Sequence, residues 1–201
     1  MRCYFASDLH GKVRRYEALF AALRAAPPDI LLLGGDLLPG FAGIGRSAEA
    51  GHPIAFLEDF LASSLRSLRR DLGERYPTVL VIFGNDDPLA ELPHLEALAD
   101  EGLLEHLHQR RVEVGGVPFY GYAHTPPSPF ALKDWERYDV SRYVDPGCVA
   151  PNEGRCSVPL DPHVLAWSTI AEELESLTGS ATDLQRAIFL FHGPPYRTAL
   201  D

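Results

Sequence analysis

No stretch of this chain is apolar for long enough to span a bilayer. Nor do the charged and apolar blocks of a signal peptide precede the first strand-like run. Cysteine is scarce. Cys3, Cys148 and Cys156 make no even framework, and Cys148 and Cys156 lack the second pair that a zinc site needs. The expected setting is the reducing cytoplasm. Basic residues are outnumbered, 18 Lys and Arg against 28 Asp and Glu, for a formal net charge of −10. No basic cluster exceeds a pair such as Arg69-Arg70 or Arg110-Arg111, which counts against an extended nucleic-acid or anionic-membrane face. A small phosphorylated substrate stays compatible, because bound cations reverse the local field. Low-complexity tracts, internal repeats and clear linkers are missing too. The 201 residues suffice for one α/β domain over 1–201 with a sizeable core.

The apolar run 3–6 reads as a short buried strand that stops at Ser7. Asp8 and His10 follow two apart, a spacing that turns both side chains to one side of an extended chain. A helix is expected over 13–26, carrying Tyr16, Phe20 and Leu23 and ending before Pro27. The run 30–33 is a strand that breaks at Gly34-Gly35 and delivers Asp36, and 39–52 reads as a Gly-rich loop. A helix over 56–72 leads to the clearest buried strand, 78–83, which is β-branched and uncharged. Gly84 ends it and presents Asn85, Asp86 and Asp87, with another helix over 88–100. Strand, polar turn and helix thus recur three times, the pattern of a parallel, helix-covered sheet. Ligands of such sheets bind at the carboxyl ends of the strands, where Asp8, His10, Asp36, Asn85 and Asp86 all fall.

The second half differs. Two short antiparallel strands are expected around Gly115-Gly116. The Pro- and aromatic-rich stretch 125–159 is too long for a simple connection, and 125–180 reads as an insertion or lid. Lys133 is a candidate to reach substrate from it; the alternative is a surface excursion packed by Phe130 and Trp135. Asp161 caps a helix with Pro162 in its first position, running to Gly179. A last buried strand, 187–191, delivers His192-Gly193. His124 follows a strand end and is a candidate contact for substrate phosphate, against a plain surface histidine. His52, His94, His106, His108 and His163 read as solvated or capping.

The ordered set Asp8-x-His10, Gly35-Asp36, Gly84-Asn85-x-Asp87 and His192-Gly193 resembles the calcineurin-like metallophosphoesterase superfamily over nearly the whole chain. The resemblance implies a four-layer α/β/β/α sandwich with two divalent metal ions (Mn, Fe, Zn, Ni or Co) acting on a small phosphate ester. Carried over, Asp8 and His10 hold the first metal, Asp36 bridges, and Asn85 and His192 hold the second, with a metal-bound hydroxide as nucleophile. Two departures stand out. The phosphatases place a leaving-group His after the Asn, whereas this chain has Asp86, the candidate catalytic residue here; its alternative is a helix N-cap before Pro88. A carboxylate is the poorer proton donor, which tilts the expectation toward phosphodiesters over a phosphomonoesterase or protein phosphatase. The family's closing Gly-His-x-His has no match, and the chain ends nine residues after His192. The C-terminal part therefore reads as truncated, leaving an open sheet edge for a homo-oligomer and a non-catalytic interaction module as the rival outside enzymes.

Overall fold

A computed structural model describes residues 1–40 and 56–195; most of the expected loop over 39–52, His52 included, and the tail after Pro195 lie outside them. Four parallel strands form the first sheet in chain order: β1 (Cys3–Ala6), β2 (Ile30–Gly34), β3 (Thr78–Ile82) and β4 (Glu105–His106). The second sheet pairs β5 (Arg110–Val114) antiparallel with β6 (Val117–Tyr122), and β6 parallel with β7 (Ile188–Phe191). The expected turn at Gly115-Gly116 closes that hairpin.

β2 and all but the first residue of β3 are buried, as unbroken apolar runs require when both faces of a strand are covered. β1 departs from expectation. It is the edge strand, its residues alternate outward and inward, and Phe5 is 60% exposed. β4 gave no sequence signal, because two residues carry no period.

Helix α1 (Val13–Ala25) buries Tyr16, Phe20 and Leu23, one stripe at helical spacing. The expected helix over 56–72 opens with a π-helical stretch, Phe56–Ala62, and continues as α2 (Ser63–Leu72). α3 (Leu92–Asp100) follows a 3-10 turn, Leu89–Glu91. These helices share one core with Leu80, Ile82 and Phe83 from the first sheet and Phe119 and Leu190 from the second. Beyond the second sheet lie α4 (Pro162–Trp167) and α5 (Ile170–Thr178). Tyr122 of β6 donates its hydroxyl to Glu173 of α5 at 2.7 Å, and the layers run α/β/β/α. The single helix expected from Asp161 is thus two. Thr169 caps the second: its Oγ1 accepts the Glu172 N–H at 3.2 Å and donates to the Glu172 carboxylate at 2.9 Å.

The stretch after β6 is ordered by its own contacts. Trp135 is buried edge-on against Phe83 at 5.8 Å, and its Nε1 donates to the Asp87 carbonyl at 2.8 Å. Lys133 does not reach outward. Its side chain is 0% exposed, and Nζ donates to Glu136 at 2.5 Å and to the Ser128 carbonyl at 2.9 Å. Phe130 is 63% exposed, leaving the packing to Trp135.

Lys133→Ala strands the Glu136 carboxylate in a dry site. We expect a loss of about 3–5 kcal/mol in urea unfolding, most of it recovered in the double variant Lys133→Met/Glu136→Leu.

Candidate metal centre

The backbone past β1 and β2 is bent into an unusual shape. Asp8, His10 and Asp36 all have positive φ, at 57°, 49° and 53°. Non-glycine residues adopt that region rarely, and it is occupied at functional sites when the surroundings enforce it. Here a ladder enforces it: the Asp8 N–H donates to the Gly35 carbonyl at 3.0 Å, His10 to Asp36 at 2.8 Å and Gly11 to Leu37 at 2.8 Å. The two turns therefore run side by side, and their side chains converge.

Asp8, His10 and Asp36 each bring one ligand atom within 4.8 Å of the others. His10 Nε2 lies 3.9 Å from Asp8 Oδ1 and 3.8 Å from Asp36 Oδ2, while its Nδ1 lies 3.4 Å from Asp86 Oδ2. On the other side of Asp36, His192 arrives from the end of β7. A carbonyl only accepts, so the contact of His192 Nδ1 with the Gly34 carbonyl at 2.8 Å makes Nδ1 the donor. In the neutral ring Nε2 is then an acceptor, yet it faces Asn85 Oδ1 at 3.0 Å and Asp36 Oδ1 at 3.4 Å. Acceptors crowded against acceptors are relieved by a cation, and a set of imidazole, carboxylate and amide oxygen suits a divalent transition metal. The residues thus fit the ions that the sequence resemblance implies. Asp36 divides its oxygens, Oδ2 toward His10 and Oδ1 toward His192; Oδ1 also accepts the Asp86 N–H at 3.0 Å.

Gly84 makes this approach possible. A Cβ there would overlap Asp36 Oδ1 and stand 2.5 Å from His192 Cε1. Asp87, quoted in the sequence motif without a role, holds the two loops together. It is fully buried, and its carboxylate accepts the N–H groups of Leu37, Leu38 and Gly84 at 2.8–2.9 Å. Burial pushes its pKa up to about 7 against the pull of those donors. Asp86 is raised as well, by burial first and then by Asp36, with His10 opposing.

Asp8, His10, Asp36, Asn85, Asp86 and His192 are all brought together. His124 is not. It is buried, its Nδ1 lies 2.6 Å from Glu173 Oε2, and its ring meets His108 edge-on at 4.5 Å. His106 and His108, expected to be solvated, are packed in the same layer, with rings stacked at 6.2 Å. The cause is β4, which carries His106 inward beside Phe83. Burial, aided by Arg110, lowers the His106 pKa to about 4; His108 is pushed well down by burial and by its neighbours His124 and His106.

The family model of calcineurin-like phosphoesterases matches residues 1–200. One solved crystal structure, 17% identical, matches the whole of this chain and 74% of its own with a TM-score of 0.53. The protein TT1561 of Thermus thermophilus, also 17% identical, matches with a TM-score of 0.54 over the whole of this chain and 71% of its own. At that identity the likeness is one of fold alone. No protein of curated function matches.

Two measurements check the site and its neighbours. Gly84→Ala should weaken Mn²⁺ binding in calorimetry by about 10–100-fold, because it displaces Asp36 and His192 together. For His106 the folded pKa lies below the unfolded value, so its contribution is present above pH 6.5 and lost as pH falls toward 4. It amounts to on the order of 3 kcal/mol. His106→Leu should flatten the fall in urea stability across that window by up to one proton's slope.

Proposed function

The chain belongs to the calcineurin-like phosphoesterases, enzymes that hydrolyse phosphoester bonds with divalent metal ions, and on that premise we propose that it is a phosphodiesterase with a dinuclear centre. Asp8 and His10 hold one ion, Asn85 and His192 the other, and Asp36 stands between them. The observation that carries this reading is the division of the Asp36 oxygens between His10 at 3.8 Å and His192 at 3.4 Å. When bound, such ions supply an activated water near neutral pH and positive charge against the phosphoryl oxygens.

The chain's own groups prepare the site. The Gly34 carbonyl fixes the His192 tautomer so that Nε2 faces Asn85 and Asp36. Asp86, expected from the sequence as the acid–base group, stands 3.4 Å from His10 Nδ1, where it holds that ring with Nε2 toward Asp8 and Asp36. This favours a positioning role. A carboxylate after Asn85 is a poorer proton donor than an imidazole even with its pKa raised by burial and Asp36, which supports diesters and other activated esters. The substrate is a small phosphate ester. The cytoplasm as its setting is part of the proposal, supported by three free cysteines.

Hydrolysis of bis-p-nitrophenyl phosphate and of p-nitrophenyl phosphate with Mn²⁺ tests this. We expect faster diester turnover, abolished by Asp36→Asn. Asp86→Ala should weaken Mn²⁺ binding by about 10–100-fold, and Asp86→His should raise monoester relative to diester turnover. Faster turnover of the monoester by the unaltered protein would sink the diesterase reading.

A further inference from the structure

At the end of the second sheet the chain walls a cavity of about 680 Å³. Its wall begins one residue from the candidate metal centre. Strand alternation turns His192 toward Asp36 and turns Phe191 and Gly193 to the cavity. The junction is tight: the His192 N–H donates to the Tyr122 carbonyl at 3.3 Å, and a Cβ on Gly193 would meet Thr125 Cγ2 at 3.3 Å. Tyr122 and His124 continue the wall from the end of β6, and Leu174 of α5 closes it from outside.

Among the described residues, the formal charges that line this cavity have one sign. Asp139 and Asp145 stand exposed at its edge, and among the described residues no Lys or Arg lines it. His124 lines the cavity as well. Its Nδ1 donates to the Glu173 carboxylate, which also accepts the Tyr122 hydroxyl and faces Arg137 Nε at 3.6 Å. Nε2 therefore carries a lone pair and, among the described residues, makes no hydrogen bond. Burial lowers the pKa of His124, with Glu173 opposing. Two carboxylates and the rings of His124, Tyr122, Tyr143 and Phe191 line it.

We propose that this cavity is the specificity pocket of the enzyme and takes the alcohol part of the ester, an aromatic or alkyl group bearing an ammonium. The inference rests on the phosphodiesterase reading above. Ring faces attract a cation and carboxylates pair with it, whereas a second phosphate or carboxylate on the alcohol is repelled. The volume falls within the roughly 300–1,000 Å³ of small-molecule sites.

Three p-nitrophenyl phosphodiesters test it, with para-(aminomethyl)benzyl, para-ethylbenzyl or ethyl as the second group. The ammonium ester should show a KM about tenfold below that of its para-ethyl isostere at low salt. Asp139→Asn/Asp145→Asn should erase that preference. Leu174→Trp, which fills the cavity, should raise KM for both benzyl esters more than for the ethyl ester. Equal KM values for the two benzyl esters, or a preference that survives both variants, would overturn the pocket. If no diester is turned over, the diesterase reading fails instead. Calorimetry with benzylamine then decides the pocket by itself: binding that is lost in the Asp139/Asp145 variant supports it, and no binding to the unaltered protein overturns it.

Discussion

The candidate centre depends on a carboxylate that faces none of its ligand atoms. Asp87 is fully buried, and the N–H groups it gathers belong to the turn after Asp36 and to the glycine before Asn85. Its own carbonyl takes the Trp135 indole N–H. A buried carboxylate is tolerable only when donors surround it, and here the donors come from segments that must stay in register. One side chain thus ties the β2 turn, the β3 turn and the long excursion after β6. Asp36, Asn85 and Asp86 keep their mutual distances because Asp87 leaves their backbones little freedom.

Charge is divided across the molecule by the same logic of burial. Around Asp36 the carboxylates of Asp8 and Asp86 converge on His10, a crowd of negative groups with room for cations. Against Trp135, three histidine rings pack in a row, His106 stacked on His108 and His108 edge-on to His124, and desolvation holds down the pKa of each. Imidazole serves as a prospective ligand in one place and as a polar filler of the core in the other. What separates the roles is position: His10 and His192 stand at Asp36, whereas His106 and His108 pack against Phe83 and Trp135.

That distinction explains how far the sequence could be read. β2 and β3 were legible because a doubly covered strand is an unbroken apolar run, and the glycines after them marked where Asp36 and Asn85 would be released. The ordered motifs then pointed to His192, more than a hundred residues further on. The exposure of Phe5 was not legible, since being an edge strand is a property of sheet order rather than of the strand's own residues. His106 and His108 were misread because a two-residue strand has no period. Lys133 was misread because an ion pair buried at i, i+3 looks, in sequence, like two surface charges. The break before α5 is legible in Thr169-x-x-Glu172, a capping signature. For Asp86, sequence names the residue but not the neighbour it faces, and the neighbour is what separates an acid from a positioning group.

The positive φ angles at Asp8, His10 and Asp36 place chemistry and robustness in opposition at the same three residues. The left-handed region costs an ordinary side chain about 1–2 kcal/mol and costs glycine almost nothing. Glycine at any of the three would relax the backbone and delete a ligand in one step. Directed evolution for heat resistance alone would therefore draw on these positions first, and its fittest products would be sturdy and inert.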